Sequence, residues 1–400
     1  MNQFPVSYLN SNNGISILAF GEGPMLKITE TDAINSIQNF IDNHSDKHIF
    51  MCLSYDLKND IESLESNNMD TMNFPKAILW VPETVVRFES EQLNFTQGTK
   101  NEESIDFIQN FLEKEIDQNY APLAYELKPR TSKEDYLKKV ELLKEEIQQG
   151  NIYEVNYCQE FYSENVELKD ALNTYFKLNT ITKAPYSSYM NIDDFILFCG
   201  SPENFILKKD NKIFSSPIKG TKQRGASPEE DEQLKKALLE DPKERAENVM
   251  IVDLVRNDLS RIAEPNTVKV DELFGIHTFE TVHQMISTIS CEVSKDVTFA
   301  DILKATFPMG SMTGAPKISA MKLIEKHENF KRGIYSGSIG YLQPNGNFDL
   351  NVVIRTLIYN KETKYLSCPV GGAITIKSDP ESEYEECHIK VKGILDQMNE

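Results

Sequence analysis

Apolar positions along the middle of the chain recur with two different periods. In SKEDYLKKVELLKEEIQQG, the residues Tyr136, Val140, Leu143 and Ile147 fall three or four apart. That spacing puts them on one face of a helix, which Gly150 stops. The next run, NIYEVNYCQEFYS, alternates instead, with Tyr153, Val155, Tyr157 and Phe161 on one side and Glu154, Asn156, Cys158 and Glu160 on the other. A period of two predicts a half-buried strand. DFILFCGSPE and ENFILKKDNKIFSSP read as strands joined by tight turns. Two helices follow. Ser227-Pro228-Glu229-Glu230 and Asp241-Pro242-Lys243-Glu244 each set a cap, a proline at the first helical position and a glutamate at the third. GIYSGSIGYLQ, a PNGN turn, FDLNVVIRTLIYN and YLSCPVGGAITIKS predict an antiparallel meander. Ser378-Asp379-Pro380-Glu381 caps a last helix running to about Met398.

Residues 1–120 are patterned more weakly. Short apolar runs (ISILAF, HIFMCLSYDL, AILWV) sit between acidic, Asn-rich loops, which predicts a strand-rich region. Antiparallel strands with interspersed helices, rather than strict strand–helix alternation, make the expected class α+β. A chain of 400 residues exceeds the usual single core, so one large unit or two intimately packed ones are expected. The expected division is 1–125, strand-rich and integral to the fold, and 126–400, which carries the sharper signals.

A formal net charge of −20 argues against a nucleic-acid or anionic-membrane surface, since both need basic patches. No apolar run approaches the roughly 18–20 residues that span a bilayer. MNQFPVSYLNSNNG has neither a cationic start nor an apolar core, so no leader is expected. Six scattered cysteines without a C-x-x-C pair read as reduced thiols in a cytoplasmic protein.

Several stretches could carry chemistry. Glu244 and Glu247 share one helix face, and Glu383 and Glu386 share another, with Lys390 one turn further. Four carboxylates from two helices suit a hard divalent ion; two solvated helix faces are the ordinary alternative. FPMGSMTGAPKISAM combines Gly310 and Gly314 with Lys317 at a helix start, which is either an anion site or a plain glycine-rich connection. Arg355, in the strand-like DLNVVIRTL, is either paired structurally or aimed at a carboxylate. His283 lies among apolar neighbours, as a core histidine would. FSSPIKGTKQRGA concentrates Lys219, Lys222 and Arg224 in an acidic chain, either as a surface turn or as a loop that holds a reactive lysine. No Ser-His-Asp, Cys-His, zinc or dinucleotide pattern is present.

In conjunction these stretches match a family. GNIYEVN, GSPENF, SPIKGTKQRG, DPKERAENVMIVDLVRNDLSRI, FPMGSMTGAPKISAM, RGIYSGSIGY, NVVIRTL and SDPESEYEECHIK occur in the order found in the chorismate-utilising enzymes. Residues from about 130 to 398 closely resemble that family, which includes anthranilate, aminodeoxychorismate, isochorismate and salicylate synthases. The resemblance implies two antiparallel sheets packed between helical layers, with residues 126–400 as the chorismate-binding part. It implies Mg²⁺ on Glu247 and Glu386, with Glu244 and Glu383 ordering its waters, facing the ring carboxylate of chorismate. Tyr335, Arg355, Lys390 and the backbone of Gly371, Gly372 and Ala373 would hold the ligand's carboxylates. Ser311 and Thr221 would line the pocket. Glu203 matches the acid that helps the C4 hydroxyl leave, and His283 the ring-facing histidine.

Most relatives have a small residue where this chain has Lys219. The P-I-K-G-T form resembles the branch that aminates C4 through a covalent lysine intermediate, giving 4-amino-4-deoxychorismate for 4-aminobenzoate and folate synthesis. Lys222 and Arg224 are expected to favour a neutral Lys219 by repulsion. Anthranilate formation is the nearest alternative, followed by isochorismate formation and a non-catalytic binding relative. Glu154 stands where water-adding relatives have a lysine base and others usually have glutamine. No glutaminase motif is present, so a glutamine amidotransferase subunit is the expected partner and ammonia source.

Overall fold

Strands from distant parts of the chain pair directly. Val6–Asn10 runs antiparallel to Tyr186–Ile192, and Ile49–Leu53 to Ser338–Leu342. In the computed structural model, which describes residues 4–89, 92–116 and 125–399, these pairings build two large antiparallel sheets with helices around them. The first has eleven strands and the second ten. Residues before 100 contribute strands to both sheets.

Alternation along the central strands explains the layering. In Phe195–Ser201, Leu197 and Cys199 face a core shared by the two sheets, while Ile196 and Phe198 face a core shared with helices. Leu18 and its neighbours Ile17 and Ala19 divide in the same way. The helix Lys133–Gln148 lays Tyr136, Val140 and Leu143 into the second core, as its period predicts. Pro380–Asn399 packs beside it. Both proline-started helices form: Ser227 accepts from the Glu230 amide, and Asp241 from the amides of Lys243 and Glu244. The weakly patterned N-terminal part, expected to be strand-rich, also contains helices Ala33–Asn43 and Glu102–Ile116.

Three expectations change. Glu154–Ser163 forms, but it is buried on both faces rather than half-buried. Two of its polar side chains find partners inside: Asn156 donates to the Ser311 carbonyl at 3.1 Å, and Glu160 pairs with Arg130 at 2.5 Å. The expected strand through NVVIRTL breaks after Asn351 and resumes at Thr356, leaving Arg355 between them with φ 52°. The lysine loop is instead an edge strand, Ile218–Gln223, paired with Val282–Glu292.

One ion pair ties several of these segments together. Arg332 and Glu328 are both buried and joined by two hydrogen bonds, of 2.9 and 2.5 Å. Arg332 also donates to the carbonyls of Met312 and Asn156 at 2.7 and 2.8 Å, and Glu328 accepts from the Cys158 amide at 2.9 Å. Removing one member of such a pair strands the other charge without solvent. Arg332→Met should therefore cost about 3–5 kcal/mol, read as a fall in urea midpoint or melting temperature. A loss below about 1 kcal/mol, the value of an exposed pair, would show that the interior is not organised around it.

Candidate active site

The strand Ile218–Gln223 brings Lys219 inward. The residue is 8% exposed, and Nζ donates to Glu154 Oε1 at 2.5 Å. The neighbouring strand Glu154–Ser163 is seated by Gly314, whose φ is 140°. A Cβ there would stand 2.2 Å from the Glu154 carbonyl oxygen, so only glycine lets the two backbones approach this closely. Burial lowers the Lys219 pKa, but Glu154, Glu247 and Glu203 outweigh it and hold the ammonium above its ordinary value. This corrects the expectation of a neutral amine. Arg224 cannot repel it as proposed, because its guanidinium is taken up by Asp231 at 2.8 and 2.9 Å.

Glu203 is buried on the same side, between Phe195–Ser201 and Asn204–Lys209. Burial pushes its pKa up to about 7, against hydrogen bonding from Ser311 and the charge of Lys219. A carboxyl with that pKa is partly protonated at neutral pH and can donate a proton. Glu203 and Ser311 line a cavity together with Met309 and Leu259.

The paired glutamates converge from two helices. Glu244 and Glu247 lie on Pro242–Ser260, and Glu383 and Glu386 on Pro380–Asn399. Gly372 marks the approach of the second helix, since a Cβ there would lie 3.1 Å from Glu383 Oε2 and 3.9 Å from Glu386 Oε1. Glu247 is buried, and burial raises its pKa to about 7; Glu244 and Glu383 are raised by the same cause. Lys243 stands among all four, with Nζ 3.8 Å from Glu247 Oε1. That oxygen has no hydrogen-bond partner. Among the described residues no three such side chains already stand close enough to chelate an ion. The donor set is nevertheless all oxygen, with an unpartnered buried carboxylate oxygen, and it fits a hard divalent cation.

Next to these carboxylates lie the groups expected to hold an anion. Gly371, Gly372 and Ala373 sit in the strand Tyr365–Ile374, and none takes a positive φ. Lys390 Nζ donates to the Gly371 carbonyl at 2.7 Å and pairs with Glu386 at 2.7 Å. Arg355 has Tyr335 and Glu386 nearby, yet among the described residues its guanidinium makes no hydrogen bond or ion pair. Burial lowers its pKa. An arginine held in a left-handed backbone conformation without a partner is poised for an anion. Thr221, by contrast, is exposed on the edge strand.

His283 is not joined to this cluster. It is fully buried, with Nε2 2.8 Å from Asp231 and Nδ1 3.0 Å from Thr278. Lys317, considered for an anion site, is taken up by Asp258 at 2.6 Å and the Thr306 carbonyl at 2.9 Å. Sequence reasoning left Glu154 without a role and did not single out Lys243 as a group of the site. The alternation of the 154–163 strand did place Glu154 on its polar side.

A family model described as chorismate binding enzyme matches residues 9–396. The chain belongs to the chorismate-binding enzymes. Among its relatives, a probable chloroplastic aminodeoxychorismate synthase of Oryza sativa subsp. japonica is 43% identical over 266 residues, which are 66% of this chain and 29% of that one. Aminodeoxychorismate synthase component 1 of Klebsiella aerogenes is 40% identical over 267 residues, 67% of this chain and 58% of that one. The matched region thus spans less than two thirds of these relatives. The crystal structure of anthranilate synthase component I from Streptococcus pneumoniae TIGR4 superposes with a TM-score of 0.82 at 27% identity, covering 96% of this chain and 92% of that one. The α+β architecture is therefore that of the chorismate-binding family. All six cysteines are buried and free, and among the described residues no helix is long and apolar enough to cross a membrane.

The raised carboxyls set a pH dependence. A carboxylic acid with pKa near 7 folded and 4.5 unfolded holds its proton more tightly when folded, so stability falls as pH rises from about 4.5 to 7. Glu247→Gln removes that contribution. In chelator, the variant should melt with wild type near pH 4.5 and increasingly above it toward pH 7. Melting curves that keep a constant separation across this range would show that Glu247 titrates normally.

Proposed function

We propose that this chain converts chorismate and ammonia to 4-amino-4-deoxychorismate, with a glutamine amidotransferase partner releasing the ammonia. The observation that carries the reading is the burial of Lys219 beside Glu203, a nucleophile beside an acid of pKa about 7. Glu203 protonates the C4 hydroxyl. The Lys219 amine forms a bond to C2, the ring double bonds shift, and the C4–O bond breaks with loss of water. Ammonia then bonds to C4, the double bonds shift back, and the C2–N bond breaks to free the lysine. Two displacements place the new amine where the hydroxyl was. Arg355, Tyr335, Lys390 and the Gly371–Ala373 backbone hold the substrate's carboxylates. Glu247 and Glu386, with Glu244 and Glu383 beside them, would hold Mg²⁺, which would supply positive charge against the ring carboxylate. Because Lys219 meets C2, it excludes ammonia from the carbon that anthranilate formation aminates. The relatives named aminodeoxychorismate synthase support the same choice.

Incubation with chorismate, Mg²⁺ and ammonium at alkaline pH should give 4-amino-4-deoxychorismate; anthranilate as the product would reject the assignment. Without ammonia, intact-mass analysis should show a chorismate-derived adduct that Lys219→Ala lacks. Mg²⁺ should raise the melting temperature of wild type and leave the double variant Glu247→Gln/Glu386→Gln unchanged. An equal shift in both would place the ion elsewhere.

A further inference from the structure

Glu154 reaches Lys219 from the other sheet. It lies on Glu154–Ser163 of the eleven-stranded sheet, whereas Lys219 lies on the edge strand of the ten-stranded one. The carboxylate is 1% exposed; Oε1 accepts from Nζ at 2.5 Å, and Oε2 has no partner. The other charged groups facing the amine are Glu203, after the strand Phe195–Ser201, and Glu244 and Glu247 from the helix Pro242–Ser260. Together these carboxylates keep Lys219 cationic despite its burial. An ammonium has no lone pair and cannot attack carbon. Solvent has little access to take its proton away, so the acceptor has to lie within hydrogen-bond reach. Among the described residues Glu154 is the carboxylate hydrogen-bonded to Nζ. No donor reaches its second oxygen, which stays open to a proton.

We propose that Glu154 is the base that activates Lys219 by accepting its proton before the C–N bond forms. This rests on Lys219 being the nucleophile. One proton passes from Nζ to the carboxylate, turning ammonium and carboxylate into amine and carboxylic acid with no change in net charge. The nitrogen lone pair then forms the bond to C2. When that bond breaks, the electron pair returns to Nζ and the proton follows from Glu154. The pair keeps one proton between its members, so the fraction of reactive amine is insensitive to pH while that proton is retained.

The test follows adduct formation in the full chain, with chorismate and Mg²⁺ but no ammonia, across a pH series. Glu154→Gln keeps the shape and a hydrogen-bonding oxygen but cannot take the proton. Its rate should lie at least tenfold below wild type at about pH 6. The gap should narrow by about tenfold per pH unit toward alkaline pH, as solvent deprotonates Lys219 instead. Taking the ratio to wild type removes the titration of Glu203 that both share. Glu154→Asp should recover the wild-type pH shape at a lower rate, and it carries the comparison if the glutamine variant does not fold. Parallel profiles, or a glutamine variant as fast as wild type at about pH 6, would overturn the proposal. In parallel, ¹³C NMR of the Lys219 Cε reports its protonation directly, and Glu154→Gln should move its titration to lower pH. An unmoved titration sinks the role of Glu154 while leaving a covalent lysine standing. A wild-type enzyme that forms no adduct at any pH overturns the nucleophile and this proposal together, whatever the titration shows.

Discussion

The arginine at position 332 has no water to lean on. Desolvating it and Glu328 costs several kcal/mol each by general experience, and hydrogen bonds must return that. Arg332 therefore donates to Glu328, the Met312 and Asn156 carbonyls and Ser336, and its guanidinium lies 4.7 Å from the Tyr55 ring centre. Satisfying one buried cation in this way leaves the surrounding backbone little freedom. The glycine-rich turn, the strand Glu154–Ser163 and the segment leading to Tyr335 are held relative to one another by this single group. Ser311, Glu154 and Tyr335 take their places from that constraint.

Around this frame the site concentrates negative charge. Glu154, Glu203, Glu244, Glu247, Glu383 and Glu386 surround the cations Lys219, Lys243, Lys390 and Arg355. Burial and neighbouring cations then give the carboxyls different proton affinities. Glu203 and Glu247 are pushed to about 7, while Glu386, beside Lys390, is held below its ordinary value although burial opposes this. Such separation of like groups lets one pocket hold neutral and anionic carboxyls at one pH. An anionic substrate would meet repulsion from this wall, and in the proposed function a divalent cation offsets it.

Much of the local structure was legible in the chain. The capped helices at 227 and 241, the helix Lys133–Gln148 and the antiparallel strands follow from short-range patterns, because a cap or an apolar period acts within one or two turns. The glutamate pairs were legible for the same reason, since a spacing of three places both carboxylates on one helix face. The resemblance of the ordered motifs to the chorismate-utilising enzymes named Glu203, Glu244 and Glu247, which lie around Lys219. It did not indicate that Thr221 would be exposed or that both nitrogens of His283 would be occupied by Asp231 and Thr278.

What the sequence alone determined is the set of chemical groups and, for the glutamate pairs and Glu154, the helix or strand that bears them. The tertiary structure decided their charge states and partners. The alternation around Glu154 predicts a wet face, because polar side chains usually meet solvent. The fold instead closes a second sheet over that face and supplies Lys219, more than sixty positions along the chain, as the counter-charge. Lys219 itself reads as a surface cation or a neutral amine, and it is neither. Its proton is held by carboxylates from three separate segments. Coulomb energies at these distances depend on burial and on partners remote in sequence, and no local pattern encodes either.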